Sequence, residues 1–278
     1  MTTLYHDVIV WDASRTQAAR CDVEVEGGVF KSIKPAAEQS VPGAYNGRGT
    51  TALIPGFVNA HGHAAMTLTR GLGEDLPLMR WLNERIWPVE AKLNADIIYT
   101  GTQIAIMEML STGTTCFADM YFSERRVADA AIEAGIRACL SRGIMGSTEE
   151  VAGKLARDIS FAKDYDGASG LVNVYLGPHA PYTISKADLF KIADAAKEHN
   201  LGLQFHWLES TTDWSLSEVG KSYEPEEFLE QSGFLDVKSL VLAHCVQIKK
   251  ENLPFYNRDN VLFAHCPKSN CKLGSGIA

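Results

Sequence analysis

The sequence predicts an α/β fold: a parallel (β/α)8 TIM barrel, reached here through seven of its strands, behind a small all-β piece. Three observations predict it. From residue 53 onward, β-branched apolar runs alternate with segments of helical period, the pattern of repeated βα units. Capping residues and glycines mark where the helices start and stop. Histidines recur where strands end, and barrels of this kind keep their chemistry at the C-terminal strand ends.

The elements follow in order. Residues 1–52 read as a separate β piece: strands over 8–11 and 22–29, a turn at Gly27-Gly28, a strand over 29–33, and further turns at Pro42-Gly43 and Asn46-Gly47. Residues 53–278 form the barrel part. Residues 53–60 read as its first strand. A helix over 94–111 has Asn94 as cap and Gly113 just past its end. Residues 114–120 are the second strand, 124–134 a helix stopped by Gly135, and 136–144 the third strand. A weak helix falls within 148–165. The fourth strand covers 171–177, a helix capped by Ser185 covers 185–199, and the fifth strand covers 202–208. A helix over 225–231 ends at Gly233. The sixth and seventh strands are 240–243 and 261–264, joined by a short connection over 249–257. No eighth strand and no terminating helix is read before Ala278, so the first and seventh strands are expected to be open edges.

Bulk properties narrow the function. The chain has 278 residues, 46% of them hydrophobic, and a formal charge of −8. That is a normal globular composition, and its sign argues against nucleic acid or an anionic membrane as partner. Cysteines 21, 116, 139, 245, 266 and 271 form no Cys-x-x-Cys pair and read as reduced, buried thiols. The first residues carry neither the basic nor the apolar region of a signal peptide, and no apolar run approaches the ~20 residues of a membrane span. The expectation is a cytoplasmic protein.

His61 and His63 are separated by one glycine at the end of the first strand. In an extended strand, residues i and i+2 point to the same side, so two imidazoles can aim at one point. The fourth strand ends at His179, the fifth at His206, the sixth at His244 and the seventh at His265. Six of the eight histidines are thus expected at one mouth, while His6 and His199 read as surface residues. A lone strand-end histidine is more often a hydrogen-bonded structural group, and His265 is read that way, with Lys268-Ser269-Asn270 as a backbone-shaping loop. His61, His63 and His206 together suit a catalytic zinc site with an open position. Glu209, three residues past His206, suits a proton carrier for water activated there.

The run Pro55-Gly-Phe-Val-Asn-Ala-His-Gly-His63, with Trp81-Leu-Asn-Glu-Arg-Ile-Trp-Pro-Val-Glu90, resembles the amidohydrolase superfamily. Residues 111–120, 177–182, 206–210, 242–246 and 265–270 continue the resemblance. Within that superfamily the chain is similar to the 5′-methylthioadenosine/S-adenosylhomocysteine deaminases and the related triazine hydrolases. The resemblance implies a metal-dependent hydrolase whose N-terminal part belongs to a composite β-sandwich. It implies that His61, His63 and His206 hold one divalent metal, zinc, and that Glu209 shuttles protons and contacts the substrate. His244 would meet the attacking water or the developing oxyanion. Glu90 would bind ribose hydroxyls, and Arg142 and His179 would line a nucleoside pocket. The reaction implied is hydrolytic deamination of an adenine nucleoside, a small-molecule substrate, by a possible homo-oligomer.

Hydrolysis of a triazine, deamination of guanine or cytosine, and a non-catalytic metal-binding module or inactive fragment are the alternatives. The chain departs from the family pattern at Gly62, where a bulkier residue is usual, and at Gln247. The family's last ligand, an aspartate on the eighth strand, would fall beyond residue 278, so an N-terminal fragment of a longer enzyme is expected.

Overall fold

Gly27 and Gly28, both at positive φ, turn β2 (Ala19–Glu26) back onto β3 (Val29–Pro35), a conformation glycine adopts without penalty. The computed structural model describes residues 2–11 and 17–278. It divides into two compact units, Met1–Phe57 and Val58–Ala278. In the first unit β1 (Thr2–Val10) pairs antiparallel with β2, which pairs antiparallel with β3. Two short strands, β4 (Tyr45–Asn46) and β5 (Ala52–Leu53), add to β1 in parallel. Val8, Val10, Cys21 and Val23 form its buried core.

The strand expected over 53–60 is two strands. Pro55, which has no amide hydrogen to donate, and Gly56 interrupt it. Leu53 ends β5, beside Val10 of β1, while β6 (Phe57–Asn59) opens the sheet of the second unit.

That sheet runs β13-β12-β11-β10-β8-β7-β6. Its members are β7 (Thr114–Met120), β8 (Arg137–Ser141), β10 (Val172–Pro178), β11 (Gly202–Trp207), β12 (Leu240–His244) and β13 (Val261–Ala264). A short β9 (Gly143–Ile144) pairs with β10, because Arg142 breaks the expected third strand in two. The pairs from β7 to β13 are parallel, as the alternation predicts.

The helices near the sheet's C-terminal side include α1 (Leu78–Trp81), a π turn (Leu82–Ile86) and α2 (Trp87–Glu90). The crossover helices are α3 (Ala95–Ser111), α4 (Glu124–Ala134), α5 (Thr148–Tyr165) and α6 (Lys186–Glu198). α7 (Asp213–Leu216) and α8 (Pro225–Ser232) follow. α3 and α6 start where their expected caps, Asn94 and Ser185, stand. The Asn94 side chain accepts from the Ile97 amide, and Ser147 and Glu150 form a reciprocal capping box that contributes about 1 kcal/mol. Gly135 and Gly233 end α4 and α8 in the left-handed conformation.

Two apolar clusters flank the sheet. One gathers Phe117, Val127, Ala131, Leu140 and Phe161 around β7, β8, α4 and α5. The other gathers Leu189, Leu203, Phe205, Trp207, Phe228 and Phe234 around β11, α6 and α8. The terminal strands are exposed: Val58 of β6 is 66% accessible and Leu262 of β13 is 51%. No helix among the described residues is long and apolar enough to cross a membrane.

Three expectations are corrected. Lys268-Ser269-Asn270, read as a backbone-shaping loop in a stretch where no terminating helix is expected, lie in helix α9 (Pro267–Leu273), with Pro267 at its first position, where a missing amide hydrogen costs nothing. His6 is buried rather than at the surface, because Asp22 gives its ring a carboxylate partner at 2.8 Å. The cysteines are free, as expected, but only Cys21 and Cys245 are buried; Cys271 is exposed on α9.

Candidate active site

β6 stops at Asn59, so His61-Gly62-His63 lies in an irregular segment beyond the strand. The carbonyl of Gly62 accepts from the Met120 amide at 3.0 Å, which ties the segment to the end of β7. Convergence of the two imidazoles therefore comes from this bend and not from strand alternation. Their rings stand 5.0 Å apart and nearly perpendicular. A Cβ on Gly62 would meet the Asn59 side chain at 3.3 Å, so the glycine also relieves crowding here.

His206, at the end of β11, completes the group. Its Nε2 is 3.1 Å from that of His61, and one ring nitrogen from each of His61, His63 and His206 lies within 4.8 Å of the other two. The Nδ1–H of His63 donates to the Met120 carbonyl at 2.7 Å, and the Nδ1–H of His206 donates to the His179 carbonyl at 2.7 Å. These bonds fix the tautomer and leave each Nε2 lone pair free to bind a cation. Burial, with the charges of neighbouring histidines added at His61 and His206, pushes all three below the ordinary imidazole range. They are neutral at pH 7, the form that ligates metal. The donor set, its tautomers and its protonation state fit a divalent metal with imidazole ligands.

All six strand-end histidines line one cavity of about 450 Å³, together with Trp81, Tyr182 and Glu209. Leu208 at φ 48° turns the chain sharply after β11, and Glu209 follows, 4% exposed. Burial first, then the charge of Asp213, pushes its carboxyl up to about 8. Asp213 also accepts from the Glu209 amide at 2.7 Å. The carboxylate lies 3.6 Å from Nδ1 of His244.

His244 and Cys245 both have positive φ, 75° and 55°, a strained backbone of the sort that collects at functional sites. Nδ1 of His244 donates to Oδ1 of Asn270 on α9 at 2.9 Å. Burial pushes His244 down to about 4, against that hydrogen bond. Burial and neighbouring histidines take His179 down to about 3, and its Nδ1 meets Thr183 Oγ1 at 3.2 Å. Gln247 reaches the Ser275 carbonyl instead of His244. His265, expected as a hydrogen-bonded structural group, is exposed on the cavity wall.

Glu90 lines a side pocket that shares His63, Trp81, Leu82 and His179 with the main cavity. Arg142 lines neither cavity; it is ion-paired with Glu124 at 3.3 Å. Sequence reasoning missed Asn270, Asp119 and Tyr121. Asp119, 2% exposed at the end of β7, accepts from the Ala64 amide at 2.5 Å and so braces the segment after His63. The signal available was a polar residue inside a buried strand, next to Met120.

Residues 52–278 match the family model described as Amidohydrolase family. The chain belongs to the amidohydrolase family. Among curated relatives of this amidohydrolase, a 5-methylthioadenosine/S-adenosylhomocysteine deaminase of Pelotomaculum thermopropionicum is 40% identical over 264 residues. That match covers 92% of this chain and 60% of the relative. A 5′-deoxyadenosine deaminase of Methanocaldococcus jannaschii is 38% identical over 266 residues, 93% of this chain and 63% of the relative. An adenosine deaminase from Xanthomonas campestris, solved with bound zinc, superposes with a TM-score of 0.88 at 30% identity, over 99% of this chain and 65% of that one. This amidohydrolase chain therefore spans about three fifths of the length of the curated relatives it matches.

Proposed function

We propose that this chain carries most of the active site of a zinc-dependent hydrolytic deaminase of adenine nucleosides. The substrate class is S-adenosylhomocysteine, 5′-methylthioadenosine or adenosine, and the products are ammonia and the inosyl compound. The observation that carries the reading is the convergence of three neutral imidazoles, with no carboxylate among them in the described residues, beside a buried glutamate in one cavity. The names of the relatives at 38–40% identity support the substrate class, and the zinc in the Xanthomonas structure supports the metal.

His61, His63 and His206 would hold one zinc ion through ring nitrogens. When bound, it supplies a Lewis acid that brings the pKa of water to about 7. The chain's own groups do the rest. Glu209 is poised near neutrality by burial, which suits it to take a proton from the attacking water and pass it to the adenine ring nitrogen. With its Nδ1–H committed to Asn270, His244 offers its other ring nitrogen as an acceptor that orients the attacking water. His179, Trp81 and Tyr182 wall the heterocycle from solvent, and Glu90 accepts from ribose hydroxyls. Arg142, held by Glu124 outside the cavity lining, is given no substrate contact here.

Ammonia release from S-adenosylhomocysteine, 5′-methylthioadenosine, adenosine, guanine and ammeline tests the reading. It predicts turnover of the nucleosides. Turnover of the bare heterocycles alone would replace it with a triazine or guanine hydrolase.

A further inference from the structure

Glu90 ends α2 half-buried in a side pocket of about 60 Å³ whose walls are largely apolar: Met66, Trp81, Ile86, Trp87 and Met120. A carboxylate in such a place is costly unless it is paired. Among the described residues no cation meets it, and its one hydrogen-bond partner is the phenol of Tyr121, which donates to Oε1 at 2.8 Å. Burial pushes Glu90 up, and the Tyr121 hydrogen bond opposes that shift.

Tyr121 is itself 4% exposed. Its ring packs with the β7–α4 cluster, and its amide donates to the Ser141 carbonyl at 3.1 Å. The residue before it, Met120, gives its carbonyl to His63 Nδ1. Two adjacent residues at the end of β7 thus anchor the metal-ligand ring on one side and the Glu90 carboxylate on the other.

We propose that Tyr121 is a positioning residue. By holding Oε1 of Glu90, it presents the remaining acceptor capacity of the carboxylate to paired hydroxyls of a substrate, at a fixed spacing from the histidine cluster. It acts through Glu90 and does not itself touch the substrate. The consequence is selectivity for a heterocycle carrying a vicinal diol over the bare heterocycle. This rests on the nucleoside reading given above.

Calorimetric binding of inosine and hypoxanthine, the diol-bearing and bare product forms, tests it without turnover. The proteins are the wild-type chain, Tyr121→Phe, Glu90→Gln and the double variant, each with and without zinc. Wild type is expected to prefer inosine. Tyr121→Phe should weaken inosine about tenfold and leave hypoxanthine unchanged. The double variant should bind inosine no worse than Glu90→Gln alone, because the two residues act as one unit. Equal weakening of both ligands by Tyr121→Phe, or additive losses in the double variant, would overturn the proposal. A wild-type chain that binds hypoxanthine as tightly as inosine, or binds neither, would overturn the nucleoside reading and this inference with it.

Discussion

His6 and His206 are both about 95% buried, yet their surroundings are opposite. In the N-terminal sheet, His6 has a carboxylate at 2.8 Å, and Asp22 also accepts from the amides of Asp7 and Ala37. In the barrel unit, His61, His63 and His206 face one another, and among the described residues no carboxylate joins their group. A buried histidine with an acid partner is a structural link. One buried histidine and two half-buried ones without such a partner are kept neutral, with lone pairs turned inward, and that arrangement lowers stability unless a cation is bound there. Burial alone therefore does not mark the functional histidines; the missing acid does.

The sharpest way to break this contrast is to remove one ring from each region. His206→Ala should weaken zinc binding about a thousandfold, measured by competition with a chromogenic chelator. His6→Ala should leave zinc affinity unchanged. Equal losses would mean that the two regions do not differ as argued.

Glu209→Gln removes a proton carrier and no ligand. Ammonia release should fall by about 10³ while zinc content stays at the wild-type level, measured by elemental analysis of the same sample. A parallel loss of zinc would make Glu209 a ligand instead.

The two regions should also separate by pH. In the barrel unit the histidines have folded-state pKa values below 6.5, His244 near 4 and His179 near 3, chiefly through burial. The unfolded chain takes up protons below 6.5 while the folded chain does not, so their contribution is complete above 6.5 and lost as pH falls toward 4. Burial works to raise Asp22, but the amides of Ala37 and Asp7 and the His6 ring outweigh it and hold the carboxyl below 3.8. Its contribution is present above 3.8 and lost only as pH drops through its folded value. Urea denaturation of the metal-free chain should show the barrel transition weakening from pH 6.5 downward. A flat response between 6.5 and 4 would contradict neutral histidines.

The smallest effect expected is from Asp22→Ala, which should destabilise the N-terminal sheet by about 1–2 kcal/mol in urea titrations at pH 7, with zinc affinity unchanged.

Much of the barrel was legible because its signals are local. Asn94 and Ser185 cap their helices through neighbours three residues away, and β7 and α4 run over the expected residues. His206 was legible as a strand-end position, whereas His61 and His63 were picked out by their spacing but lie in a bend beyond β6. What escaped depends on contacts distant in sequence. Asn270 reaches His244 across 26 residues, Tyr121 reaches Glu90 across 31, and Asp119 reaches Ala64 across 55. Nothing near residue 270 distinguishes a supporting amide from a loop asparagine. His6 looked superficial because its partner, Asp22, is on the next strand. Arg142 stands at a strand end, but Glu124 draws its side chain to the α4 side, a preference that no spacing encodes.

The most direct test is anomalous diffraction at the zinc edge from crystals grown with zinc. The account predicts a single strong peak in contact with Nε2 of His61, His63 and His206, and no such peak at that place in His206→Ala. A peak elsewhere in the chain, or none in the wild type at saturating zinc, would contradict it.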